Sequence, residues 1–414
     1  MSHSLRVHTS ANAVIPRGFT GGLSALPADP LLGLSALFRQ DTNPNKVDLG
    51  VGVYKDEAGL APVMDSVKQA EQLLVNTEDS KAYIAPRGDE VFIDSIEKLL
   101  LDDRHPVLAD QRIASIQTPG GSCALRIAAD FILRCNSNAT LWLPDPTWVN
   151  HQPLLARTGL PLKEYPYYDY TGHEVNVAAM LETLAKVPAG DVVLLHGCCH
   201  NPSGADLTLE QWQAIADLAK QQGFIPFVDI AYQGFGEGLD QDAAGLRLLA
   251  DQLPEVIITA SCSKNFALYR ERAGTFSVIA PNVKLAEICQ SQALDIVRGY
   301  YFVPPTHGGN VVKIILSTPE LRETWGFELD RIRERIASVR TMFDLAVTEA
   351  GLRDRFGHIA HQQGMFSFLG LSELQVEKLR QEKSVYMASN SRINLSGINA
   401  DNLGYLVAAL KTVI

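Results

Sequence analysis

The stretch EVIITASCSKN (255–265) decides how this chain is read, because it runs an apolar strand directly into a lysine flanked by two hydroxyls. The β-branched run, bounded by Pro254 and the Ser/Asn cluster, has strand character, and its lack of polar alternation fits a strand buried on both faces. Four further runs share this texture: ATLWL (139–143), VVLLH (192–196), IPFVDI (225–230) and TFSVIA (275–280). After VVLLH comes the turn Asn201-Pro202-Ser203-Gly204. A helix follows, capped by Thr208, with Gln211 completing a capping box, Ile215, Leu218 and Ala219 at helical spacing, and Gly223 as its stop. Such alternation predicts an α/β fold with a mostly parallel central sheet covered on both faces.

Beyond about Pro319 the texture changes. Thr318-Pro319-Glu320 is a strong helix start, with proline at the first helical position. The amphipathic segment it opens runs to Gly351, with Leu329, Ile332, Ile336 and Val339 on one stripe. GMFSFLG (364–370) and SRINLSG (391–397) then read as parts of a smaller α+β domain. The predicted division is an N-terminal extension over 1–28, a segment over 29–60 that joins the small domain, a large domain over 61–318 and the small domain over 319–414. The extension holds no Asp or Glu and lacks the apolar core of a secretory signal. It is predicted to be a poorly ordered arm or remnant rather than a targeting segment.

The chain has 414 residues, 46% of them hydrophobic and 20% charged, which excludes a mostly disordered protein. Its apolar runs fall well short of the ~18 residues a membrane span needs. Thirty-six basic against forty-seven acidic side chains leave a net charge of −11, which disfavours a nucleic-acid partner. The six cysteines are sparse and irregularly spaced, so a reducing compartment, the cytoplasm, is expected.

A lysine just past the C-terminal end of a strand points into the crevice where α/β sheets bind ligands. Alone, Lys264 reads as an ordinary surface residue. Ser261 and Ser263 beside it, with Arg272 further along, add hydroxyls and a guanidinium fork, the usual means of holding a phosphate. A lysine next to a phosphate site suggests a Schiff base to pyridoxal phosphate. That cofactor needs an acid at its ring nitrogen. Asp229 ends IPFVDI at the equivalent place on another strand, with a cap or turn acid as the competing, weaker reading. Tyr232 lies three residues on, within reach of a ring oxygen. TPGGSC (118–123) opens an apolar helix, and its glycines let backbone N–H groups approach an anion, although a plain turn explains it equally well. The spacings of a dinucleotide fingerprint and of a nucleophile elbow are both absent.

His196-Gly197-Cys198-Cys199-His200 has zinc-like ligand types, but Cys198 and Cys199 would face opposite sides of an extended strand. No metal site is predicted there, and the histidines are expected to tune a neighbouring site. Asn201 faces the same crevice. Arg392 and Arg298, as bidentate carboxylate clamps, would suit an amino acid substrate.

Together these motifs resemble the class I aminotransferases of the aspartate and aromatic amino acid subgroup, in its bacterial aromatic-type branch. The likeness covers about Pro27 to Ile414. It rests on LGVGVYKDEAG (49–59), TPGGSCALR (118–126), PDPTWVNH (144–151), LLHGCCHNPSGADLT (194–208), VDIAYQGFG (228–236), SCSKNFALYRER (261–272), PPTHGG (304–309), GMFSFLG (364–370) and SRINLSG (391–397), in that order. The resemblance implies the fold type I of pyridoxal-phosphate enzymes and a homodimer with shared sites. It implies that Lys264 carries the cofactor and moves protons, that Asp229 pairs with the ring nitrogen, and that Tyr232 and Asn201 hold the ring oxygen while Trp148 stacks on the ring. Gly121, Ser122, Ser261, Ser263 and Arg272 would bind the phosphate, with Tyr83 reaching over from the neighbouring subunit. Arg392 would clamp the α-carboxylate near Gly52 and Trp148, Arg298 of the neighbour would meet a distal carboxylate, and His151 and His196 would stand one layer out from the residues that touch the cofactor. The implied partners are amino acids and 2-oxo acids, exchanged by a ping-pong mechanism.

The sequence departs from the subgroup's pattern at Cys123, at Ala267 and, most tellingly, at Phe302-Val303, where strict aspartate enzymes tend to carry Ser-Asn. The apolar pair either lets Arg298 swing aside for aromatic side chains or weakens dicarboxylate binding. The expected activity is amino transfer between aromatic amino acids or aspartate and 2-oxoglutarate. A strict aspartate enzyme and another fold type I reaction are the alternatives. A cofactor-responsive DNA-binding regulator is disfavoured, since 28 N-terminal residues are too few for a helix-turn-helix.

Overall fold

Side chains along the inner strands alternate between two apolar clusters. Val193, Leu195, Val228, Ile230, Ile258 and Ala260 pack into one, while Val192, Leu194, Phe227, Ile257, Phe276 and Val278 pack into the other. Successive residues of a strand point to opposite faces, so an unbroken apolar run requires cover on both. The computed structural model supplies that cover and describes residues 19–20, 22–25 and 30–414, with the backbone alone described for 30–32. Apart from those few positions, the extension predicted over 1–28 lies outside the described residues.

Among the described residues the central sheet has seven strands: β1 (Ile113–Pro119), β2 (Leu141–Asp145), β3 (Leu162–Pro166), β4 (Val192–His196), β5 (Ile225–Ile230), β6 (Val256–Ser261) and β7 (Ala273–Ile279). Their order is β1-β7-β6-β5-β4-β2-β3. All pairings are parallel except those of β7, which runs antiparallel to both β1 and β6. The mostly parallel α/β sheet expected from the sequence is therefore present.

Two strands escaped the sequence reading, for physical reasons. β1 buries Ser115, Gln117 and Thr118, with Ser115 Oγ donating to Ser277 Oγ at 2.7 Å, so it shows no continuous apolar run. β3 is an edge strand whose Lys163 and Glu164 are exposed. The helix Leu209–Gln222 forms with the expected capping box between Thr208 and Gln211, and it ends at Gly223, whose φ of +80° suits only glycine without strain. It covers one face of the sheet, and the helices Gly121–Cys135 and Val283–Tyr300 cover the other.

The long helix Pro319–Glu349 starts where expected. Its Leu321, Trp325, Leu329, Ile332 and Ile336 belong to the large core. Val339, Phe343 and Val347 belong to a third cluster that also holds Val47, Leu49, Ile393 and Leu406. Packing thus changes partners inside the helix rather than at Pro319, and we propose the domain boundary between Ile336 and Val339. Strands Phe366–Phe368 and Arg392–Asn394 pair antiparallel in this smaller region, where Val47–Asp48 also pairs with Val385–Tyr386.

Candidate active site

Strand register assembles the site. His196 lies opposite Asp229, and Asp229 opposite Thr259, at the C-terminal ends of three adjacent parallel strands. Thr259 Oγ1 donates to Asp229 Oδ1 at 2.7 Å, and His151 Nε2 lies 3.1 Å from Asp229 Oδ2. Burial pushes the Asp229 carboxyl up, but the bonds from His151 and Thr259 outweigh it and hold the group below its ordinary range. His151 Nδ1 and His196 Nε2 share Thr147 Oγ1, at 2.7 and 3.0 Å. Burial drives His196 down to about 3, so it stays neutral.

Lys264 follows β6 by a short turn, with Nζ 4.6 Å from the centre of the Tyr232 ring. Burial lowers its amine to about 8, with Asp229 opposing the shift and Arg272 reinforcing it. Beside it is a cradle for an anion. Arg272 Nη1 donates to Ser263 Oγ at 3.2 Å, and Ser261 Oγ donates to Ser263 Oγ at 3.1 Å. Gly120, at φ +75°, precedes the helix Gly121–Cys135, and a side chain there would collide with the Arg272 guanidinium. The amide end of that helix therefore stands open towards the hydroxyls and the fork.

These groups surround a cavity of about 190 Å³. Of the predicted residues, Gly121, Ser122, Trp148, Asn201 and Tyr232 line it with Asp229, Ser261, Ser263, Lys264, Arg272 and His196. Arg392 approaches from the smaller region. It is 6% exposed, donates from Nη2 to Gly50 O at 2.9 Å and from Nη1 to Asn201 Oδ1 at 3.3 Å, and lies 4.6 Å above the Phe366 ring. Its buried Nε has no partner among the described residues. A Cβ on Gly52 would lie 3.7 Å from the same ring.

Tyr83 and Arg298 are not brought to this cavity. Both are exposed, gathered around Phe302: Tyr83 meets that ring edge-on at 6.1 Å and Arg298 lies 5.6 Å above it.

Sequence reasoning missed Thr147, Thr259 and Tyr269. Tyr269 lines the cavity, and its hydroxyl accepts from Tyr54 N at 2.9 Å. The signal for Thr259 was its place two residues before Ser261, on the same face of one strand. The argument that Cys198 and Cys199 face opposite sides also needs correction. Cys199 has φ +50°, which is not extended backbone, and both sulfurs lie within 4.8 Å of each other and of an Asp242 oxygen. The Asp242 carboxylate already accepts from the backbone of Gly234, Gly236 and Glu237. His196 and His200 bond elsewhere, to Thr147 and Ser203.

The family model for aminotransferase class I and II matches residues 44–410. The chain belongs to that family. It is 45% identical over 391 residues to the aromatic-amino-acid aminotransferase of Pseudomonas aeruginosa, covering 94% of this chain and 98% of that one. It is 44% identical over 392 residues to the aspartate aminotransferase of Escherichia coli, covering 95% and 99%. The solved aromatic-amino-acid aminotransferase of Burkholderia pseudomallei, covalently bound to pyridoxal phosphate, superposes with a TM-score of 0.94 at 40% identity, covering 96% of this chain and 99% of that one. This aminotransferase works with pyridoxal phosphate on amino acids and 2-oxo acids. Its residues fit the cofactor: the guanidinium, hydroxyls and helix end suit a phosphate, the buried amine suits a carbonyl, and the ionised Asp229 suits a protonated ring nitrogen. Among the described residues no helix is long and apolar enough to cross a membrane.

Proposed function

We propose that this enzyme transfers amino groups between aromatic amino acids or aspartate and 2-oxoglutarate by a ping-pong cycle. The observation that carries the reading is the buried Lys264 amine held between Asp229 and the Arg272 cradle, with an unpartnered Arg392 Nε nearby. In this reading Gly121, Ser122, Ser261, Ser263 and Arg272 hold the phosphate. Trp148 covers the ring, and Asn201 and Tyr232 meet its oxygen. Bound there, pyridoxal phosphate supplies the electron sink that lets an amino acid's α-proton leave.

The protein's own contribution is placement of protons and charge. Asp229, fixed by His151 and Thr259, stays ionised and keeps a positive charge beside it favourable. Lys264, lowered to about 8, holds a neutral fraction near that pH and can take a proton at Nζ and return it. Arg392 orients the substrate's α-carboxylate with donors that Asn201 and Gly50 hold in place. Tyr83 and Arg298 act in the neighbouring site of a homodimer, a reading supported by their shared exposure outside their own cavity. The cytoplasm is the proposed location, supported by six cysteines that are all unpaired.

Dual specificity is favoured by near-equal identity to aromatic and aspartate enzymes, 45% and 44%, and by the apolar Phe302 beside Arg298. A panel of aspartate, phenylalanine, tyrosine and tryptophan with 2-oxoglutarate tests it. Turnover of both classes is expected. Turnover of aspartate alone establishes the strict aspartate alternative, and no change in cofactor absorbance with any amino acid overturns the reading.

A further inference from the structure

The loop between β4 and the helix Leu209–Gln222 delivers Asn201 to the cavity and to Arg392. Its shape is not that of a free turn. Cys199 holds a left-handed φ of +50°, a costly conformation for a side-chain-bearing residue. The next residues close on themselves, with Gly204 N donating to His200 O at 2.7 Å. One carboxylate spans the loop: Asp206 Oδ2 accepts from Cys199 N at 2.6 Å and Oδ1 from His200 N at 2.7 Å. Both oxygens thus grip consecutive amides around the strained residue, immediately before Asn201. The segment leading into the strand Phe366–Phe368 packs on this loop, since Gln363 N donates to Gly204 O at 2.7 Å and a side chain on Gly364 would collide with Cys199.

We propose that Asp206 is a positioning residue of the active site, clipping the 199–204 loop into the one shape that presents Asn201 to Arg392 and the substrate. The inference rests on reading the cavity as the aminotransferase site. Asp206 does not line the cavity and acts through Asn201, which does. It is half-buried and lines a separate cleft of about 610 Å³, so protons reach it without opening the active site.

The groups facing it explain its charge balance. Burial pushes its carboxyl up to about 6, against the lowering by the His200 and Cys199 amides, with Asp242 adding to the rise and Arg340 opposing it. His173, His358 and His361 line the same cleft, as do Asp169 and Glu174. Burial takes His358 to about 4, so it carries no charge near pH 6, and burial also lowers His173, which disfavours a charge there too. As pH falls through about 6, one oxygen gains a proton, an amide loses its acceptor, and the clip opens.

Holoenzyme kinetics of Asp206→Asn between pH 5 and 8.5 test this. At pH 7.5 the KM of both the amino donor and 2-oxoglutarate should rise about 10-fold, with kcat changed less than about 3-fold and the cofactor absorbance retained. The extra fall in wild-type kcat/KM that sets in below about pH 6, on top of the one Lys264 protonation gives from about pH 8, should be missing from the variant, a change that a purely structural role does not produce. Wild-type KM values with the same acid limb overturn the proposal. If Asp206→Asn does not retain cofactor, Asp206→Glu decides: a raised KM with a displaced acid limb supports the clip, and wild-type KM and limb overturn it. Failure of the wild-type cofactor to respond to any amino acid breaks the aminotransferase reading itself, and the same spectra separate that result from failure of the clip.

Discussion

Lys264, Asp229 and Arg272 stand on or just beyond strand ends of one sheet and converge on one cavity, whereas Arg298 and Tyr83 sit on an exposed patch around Phe302. Arg392 lies between these extremes, buried but carried by the smaller region. The cofactor end is fixed by backbone hydrogen bonds of a buried parallel sheet, where a one-residue slip would turn Asp229 to the other face. The patch is held by a helix terminus and ring contacts, which tolerate change. Register thus fixes the groups of the buried cavity, to which the proposed function gives the chemistry, while the exposed patch, to which it gives substrate choice, is open to side-chain motion.

Three substitutions sharpen that contrast. Lys264→Ala strikes the register-fixed end and should lower kcat at least ~10³-fold, measured by steady-state turnover, since the proposed function makes Lys264 both the general acid–base and the cofactor anchor. Turnover within about 10-fold of wild type would remove Lys264 from the mechanism. Arg392→Ala should reduce kcat/KM for every amino acid about 100-fold, with cofactor absorbance unchanged, because the proposed function gives Arg392 two charge-assisted bonds to the α-carboxylate. A loss confined to aspartate would show that Arg392 does not hold the group common to all substrates. Arg298→Ala should have the smallest effect and the most selective. We expect about 10-fold lower kcat/KM for aspartate and a change within about 3-fold for phenylalanine. Equal losses for both would erase the distinction between the two regions.

Much of the cofactor end was legible in the sequence, because each element there is local. EVIITA ending in SCSK, IPFVDI ending in Asp229 and glycines opening a helix each carry their meaning within a few residues. The capping box at Thr208 and Gln211 was legible for the same reason. β1 was not, since Ser115 and Gln117 are satisfied by Ser277 and by the main chain of distant segments. Nor was Asp206: its two amide partners precede it by six and seven residues, and only the left-handed turn at Cys199 brings them within reach.

The sequence by itself determined the α/β class, the family through nine ordered motifs, and the identity of the buried amine, acid and guanidinium. Those follow from side-chain chemistry and short-range periodicity. Tertiary structure decided which oxygens Asp229 bonds, that a single long helix serves two cores, that both vicinal cysteines turn to one side, and that Tyr83 and Arg298 lie outside their own cavity. Each of these depends on contacts between segments far apart in the chain, where the register and packing of the folded protein, and not local propensity, select one arrangement.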